Sequence, residues 1–138
     1  MRIAFSGGQG IGKTTLTEAI SQAMNIPIIR ANTRSMMPEG ISSHLDVLKM
    51  AVIEPNKGVE FQHNLIKSRY ELFKNTTGSF ISDRCVLDSY VYYLMHNSFF
   101  DMPENVQQMK TLMKKSFDDL DVIIAFNTDY TLFPTMVS

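Results

Sequence analysis

Cysteine is nearly missing from this chain: Cys85 stands alone among 138 residues, so no internal disulfide can form and a reducing compartment is expected. No apolar run approaches the length needed to cross a bilayer. A secretory leader is not expected either, because Ile3-Ala4-Phe5 runs straight into glycines rather than into an apolar core segment. Together these absences point to a cytoplasmic protein. Net charge is also close to absent, with 13 basic and 14 acidic side chains leaving −1. No global field therefore draws the chain to nucleic acid or to an anionic membrane, and neither is expected as a partner. His44, His63 and His96 are scattered without a second ligand at helical or turn spacing, so no histidine metal site is expected. Repeats, low-complexity tracts and linkers are lacking too. The chain reads as one domain spanning residues 1–138.

What is present is an alternation of short β-prone runs with helical stripes. Arg2 to Ser6 (RIAFS), Pro27 to Arg30 (PIIR), Ser79 to Asp83 (SFISD) and Val122 to Phe126 (VIIAF) read as strands. From Lys13 the period changes, and Leu16, Ala19, Ile20, Ala23 and Met24 recur at helical spacing. Ser42 or Ser43 is suited to cap a short helix carrying Leu45, Leu48 and Val52, which Pro55-Asn56-Lys57-Gly58 is expected to stop. Phe61 to Phe73 suggests a further helix, Val86 to Met95 another, and Pro103 opens one that carries Val106, Met109 and Met113. Met24, Met95, Met109 and Met113 are expected in the core. Strands alternating with helices imply a parallel sheet covered on both faces.

The sharpest signal follows the first strand. Gly7-Gly8-Gln9-Gly10-Ile11-Gly12-Lys13-Thr14 fits G-x-x-x-x-G-K-[ST] without a mismatch, between a strand and an amphipathic helix, with Thr15 directly after it. Glycines let successive backbone N–H groups approach phosphates, and the helix start adds its unpaired N–H groups and dipole. Lys13 supplies a mobile charge for the β- and γ-phosphates, and Thr14 a hydroxyl for Mg²⁺. ATP with Mg²⁺ is thus the expected ligand pair.

Asp83-Arg84 stands at the carboxyl end of the third strand, where open α/β sheets place ligand-binding residues. Two readings are open there. Asp83 could hold Mg²⁺ or an acceptor hydroxyl while Arg84 bridges phosphates. Alternatively, Asp83 caps the next helix and Arg84 pairs with it at the surface. Cys85 reads as a buried structural thiol. Lys110, Lys114 and Lys115 read as the wet face of a helix.

The run Asp83-Arg84-Cys85-Val86-Leu87-Asp88-Ser89-Tyr90-Val91-Tyr92 resembles the D-R-x-x-x-S-S-x-x-Y segment of thymidylate kinases. Ser68-Arg69-Tyr70-Glu71 is similar to their N-R-W-E stretch, and related Asp-Arg segments occur in other P-loop nucleoside and nucleotide kinases and in small phage-encoded kinase-like ATPases. The resemblance implies a three-layer α/β P-loop fold with a parallel sheet of about four to five strands. It implies that Asp83 organises Mg²⁺ and acceptor, and that Arg84 touches the acceptor phosphate and the γ-phosphate. Arg69 and Tyr92 would line the acceptor pocket, with Leu65 where the family often stacks an aromatic on the base, and Arg34 would contact the acceptor's phosphate. Asp88 departs from the pattern, replacing the first serine. Few residues follow the fourth strand and no arginine follows Arg84, so the family's arginine-bearing lid is expected to be missing or truncated.

The expectation is ATP-dependent phosphoryl transfer to a nucleoside or nucleoside monophosphate. A nucleotide-binding regulatory or accessory module with weak ATPase activity and no acceptor is the alternative. An open edge at the fourth strand would suit a homodimer.

Overall fold

The computed structural model describes residues 1–7, 12–30, 37, 40–41 and 43–125. Its sheet is built around β1 (Arg2–Ser6), which pairs in parallel with β3 (Phe80–Ser82) on one side and β4 (Val122–Ala125) on the other. The short β2 (Ile28–Ile29) pairs in parallel with β3, giving the order β2-β3-β1-β4. β1 matches its expected run end to end, β2 and β3 are shorter than theirs, and β4 matches over Val122–Ala125, Phe126 lying outside the described residues. Alternation along them divides the core. Ile3, Phe5 and Ile81 point to one face, where Ile20 of α1 (Lys13–Met24) packs against them. Ala4 and Phe80 point to the other, where Phe73 and Cys85 meet them.

That second face is covered by α3 (Pro55–Asn75) and α4 (Val86–His96), on which α5 (Pro103–Ser116) packs, and the contacts among the three helices bury Ile66, Val86, Tyr90, Tyr93, Met109 and Met113. Each fully buried large apolar side chain, such as Phe5 or Phe73, contributes about 1.5–3 kcal/mol. Helices on both faces of a parallel sheet confirm the α/β expectation.

Several local expectations are corrected. Pro55 does end α2 (His44–Ile53), but it occupies the first turn of α3, so Pro55 to Gly58 start a helix instead of stopping the chain. Within α3, Gly58 fills a position where a side chain would not fit: a Cβ there would lie 2.9 Å from Asn97 Nδ2 and 3.1 Å from Ala51 Cα. The cap of α2 is Ser43, whose hydroxyl accepts the Asp46 N–H at 3.2 Å. Its buried face is Val47, Met50 and Ala51, while Leu45 and Val52 are exposed. Met24 and Met95 are exposed too, unlike Met109 and Met113, because α1 and α4 turn other residues inward: Thr17 on α1, Tyr93 on α4.

Asp101 closes the helical layer from the segment between α4 and α5. Its carboxylate is 4% exposed and accepts His63 Nε2 at 2.6 Å from α3, the Tyr93 hydroxyl from α4, Asn105 Nδ2 at 2.9 Å and the Met102 N–H at 2.8 Å. Burial alone would raise its pKa, but these donors outweigh burial and hold it below the ordinary carboxylate value. A depressed folded-state pKa stabilises the fold above the unfolded-state value, and that contribution fades as pH falls through the folded-state value. Asp101→Asn is therefore expected to lower stability at neutral pH and to flatten the acid limb of stability against pH. Chemical denaturation at a series of pH values measures this, and an acid limb identical to the parent's would contradict it.

Candidate functional site

The sheet register sets the geometry of the site. Ser82 lies opposite Ala4, and Ile29 lies opposite Ser82. The strands thus release Gly7, Asp83 and Arg30 at the same carboxyl edge, where α/β sheets bind ligands. At Gly7 the backbone has φ 147° and at Gly12 φ 83°, both in the region that favours glycine. Gly12 opens α1, and its carbonyl accepts the Leu16 N–H at 3.1 Å.

Lys13 is only 5% exposed, and its ammonium donates to the Gly7 carbonyl at 2.6 Å. Burial lowers its pKa, and the nearby Arg84 charge lowers it further, against the opposing pull of Asp88 and Asp83. The ammonium is therefore a partly desolvated cation folded back on its own loop, at the position from which it can reach a phosphate. Thr17 anchors the helix beneath it, donating its hydroxyl to the Lys13 carbonyl at 2.6 Å.

Thr14 Oγ1 lies 3.5 Å from Asp83 Oδ2. These are two hard oxygen donors from two elements, a donor set that suits Mg²⁺ with water and phosphate completing its shell. No group of three or more His, Cys, Asp or Glu suited to a metal ion lies among the described residues, so a cation here would need the phosphates themselves. The structure excludes the capping reading of Asp83. It does not cap α4: that position belongs to Cys85, whose N–H is accepted by Asp88 at 3.2 Å. Asp83 instead accepts from Thr14 and from Arg30 Nη1 at 3.0 Å.

Arg84 follows, half-buried, and among the described residues no carboxylate pairs with its guanidinium. Arg69 reaches the same region from α3 and donates to the Ser89 hydroxyl on α4. Burial lowers the Arg69 pKa, and the Arg84 charge adds to that. The structure thus brings Lys13, Thr14, Asp83, Arg84 and Arg69 together. Leu65 and Tyr92 also meet, but in the packing between α2 and α3, with Val47, Met50 and Phe61, and Tyr92 lies against the His96 ring at 4.4 Å. Thr15 is exposed on α1. Gly8, Gln9, Gly10, Ile11 and Arg34 lie outside the described residues.

Two residues were missed in the sequence. Arg30 ends the second strand run, and the rule that singled out Asp83 applied equally to it. Asp88 stands at the third position of α4, where a carboxylate after a helix start signals a capping box. Its side chain turns toward the start of the phosphate loop, accepting the Ser6 hydroxyl at 2.7 Å and the Gly7 N–H at 3.1 Å. Cys85 is fully buried, and burial raises its pKa, in keeping with a structural thiol.

A family model described as an AAA domain matches residues 2–125, from the first strand to the last. It supports a P-loop nucleotide-binding ATPase fold and does not single out the thymidylate kinases. No curated protein matches the chain. No described helix is long and apolar enough to cross a membrane.

Lys13→Ala removes the one ammonium at the loop. Its loss is expected to weaken binding of an ATP analogue about tenfold or more and to lower nucleotide turnover about 100- to 1000-fold. The helical content should be unchanged. Calorimetric titration and phosphate release measure both effects, and parental binding and turnover in this variant would show that the loop is not used as described.

Proposed function

This chain belongs to the AAA domain family, and on that premise we propose that it transfers the γ-phosphate of ATP to a nucleoside or nucleoside monophosphate. The observation that carries the proposal is the meeting of Arg69 with Arg84 beside Lys13. Beside Mg²⁺, hydrolysis asks for no cationic side chain beyond the phosphate-loop lysine and one arginine. Here a second guanidinium is brought from α3, held by Ser89, and placed near enough to Arg84 for the two charges to oppose each other. Like charges held together at partly buried positions favour binding of an anion between them. A transferring phosphoryl group, with or without an acceptor phosphate, is such an anion.

In this reading the acceptor oxygen attacks the γ-phosphorus in line while the bond to the β–γ bridging oxygen breaks, releasing ADP. Where the acceptor is a hydroxyl, Asp83 takes its hydrogen bond and then its proton. Lys13 and Arg84 neutralise charge on the phosphoryl oxygens, and Arg69 orients the acceptor. Mg²⁺, held by Thr14 and Asp83, would supply further neutralisation of the phosphate oxygens. Arg30 shares the Asp83 carboxylate and orients it. The AAA family match favours a second reading, an ATPase module without an acceptor.

Labelled ATP incubated with a panel of nucleosides and monophosphates separates the two. The transfer reading expects one acceptor to accelerate ADP formation, with phosphorylated acceptor produced mole for mole. Arg69→Ala should abolish that stimulation. If ADP forms at one rate whatever is added, and Arg69→Ala changes nothing, the ATPase reading takes its place.

A further inference from the structure

Asp88 stands where the resembling kinases carry serine, and a carboxylate beside an anion-binding loop is an unfavourable choice on charge alone. Its geometry supplies a reason. One oxygen, Oδ2, accepts the Cys85 N–H at 3.2 Å and completes the capping box of α4. The other, Oδ1, accepts the Ser6 hydroxyl at 2.7 Å and the Gly7 N–H at 3.1 Å. The cap needs a single acceptor oxygen, so the second is free for a different task. A serine offers one oxygen, and an asparagine one acceptor and one donor. Only a carboxylate of this length accepts on both sides at once.

What the second oxygen holds is the first residue of the phosphate loop. Gly7 is tied on its N–H by Asp88 and on its carbonyl by Lys13. The Lys13 tie belongs to the same ammonium that must serve phosphate, whereas the Asp88 tie leaves that ammonium free. Asp88 also sits one turn into α4, the helix that begins directly after Asp83 and Arg84. We propose that Asp88 is a positioning residue that braces Gly7 against the start of α4, so that the phosphate loop and the Asp83-Arg84 pair hold a set spacing.

Several consequences follow. Because the brace acts through hydrogen bonds, removing its charge while keeping its size should harm nucleotide binding, although the same change relieves repulsion of the phosphates. A residue that merely caps α4 would show the opposite sign. The Asp88 charge also favours the charged forms of Lys13 and Arg69, in line with a carboxylate integrated into the site. The inference rests on the nucleotide-binding half of the function proposed above and is independent of any acceptor.

Asp88→Asn and Asp88→Ser test it in the full chain, each keeping a polar group able to preserve one side of the bridge. The first measurement is amide hydrogen exchange at Gly7 without nucleotide, which reads the brace whatever the protein's reaction. Exchange at Gly7 is expected to accelerate about tenfold or more, with the β1 amides of Ala4 and Phe5 nearly unchanged. The second is titration with a non-hydrolysable ATP analogue, where affinity is expected to fall about tenfold in both variants. If the melting temperature drops but Gly7 exchange and analogue affinity stay at parental values, or if Asp88→Asn binds more tightly, Asp88 only caps its helix and the proposal is overturned. Should one variant fail to fold, the other carries both measurements. Loss of analogue binding by the parent itself would strike the nucleotide-binding reading, and the Gly7 exchange would still decide the brace.

Discussion

Parallel pairing of β1 on both of its sides is the constraint from which the site follows. A strand buried between two parallel neighbours must release its chain at the same edge as they do, since parallel strands share a direction. β1 therefore delivers the phosphate loop, and β3 delivers Asp83 and Arg84, to one edge of the sheet. β2 adds Arg30 there through its own pairing with β3. Shift β3 by one residue against β1 and Asp83 would move away from Thr14, while every β3 side chain would change face. The apolar alternation of Ile3, Ala4 and Phe5 against Phe80 and Ile81 resists such a slip, because each face has its own packing partners. Core packing and site geometry are thus set by one register.

Charge is the second organising force. Lys13, Arg69 and Arg84 gather where burial disfavours cations, as the lowered pKa values of Lys13 and Arg69 record. Asp83 and Asp88 offset part of that cost. Asp83 faces Thr14 and Arg30, and Asp88 faces the loop itself. Neither carboxylate neutralises Arg84 by a direct ion pair, so this group of side chains keeps a positive character suited to phosphate. Elsewhere, the Asp101 cluster shows the other stable solution for a buried charge: a carboxylate surrounded by donors from three helical elements.

The strands, the helices and the glycine-rich motif were legible because each is a local pattern. A period of 2 or 3.6, a run of glycines before Lys13-Thr14 and a proline at a helix start need no knowledge of the rest of the chain. Which face of each helix would be buried was less legible. Met24 and Met95 lie on apolar stripes yet remain exposed, since burial depends on what packs against a face. The start of α3 at Pro55 was missed for a related reason: Gly58 reads as a breaker, and its closeness to Ala51 and Asn97 exists only once α2 and α4 are in place.

By itself the sequence determined the phosphate loop, the parallel α/β class and the placing of Asp83-Arg84 at a strand end, because these depend on residue order and short-range sterics. Tertiary structure alone decided what those residues face. Asp83 could have capped α4; the sheet register gave it Thr14 and Arg30, and left the cap to Cys85 and Asp88. Asp88 read as a departure from a family pattern and became a tie to Ser6 and Gly7, more than 80 positions away in the chain. Arg69 met Ser89 and Arg84 only through the packing of α3 on α4. A side chain's partner across such separations is chosen by packing and register, and no local window of sequence contains either.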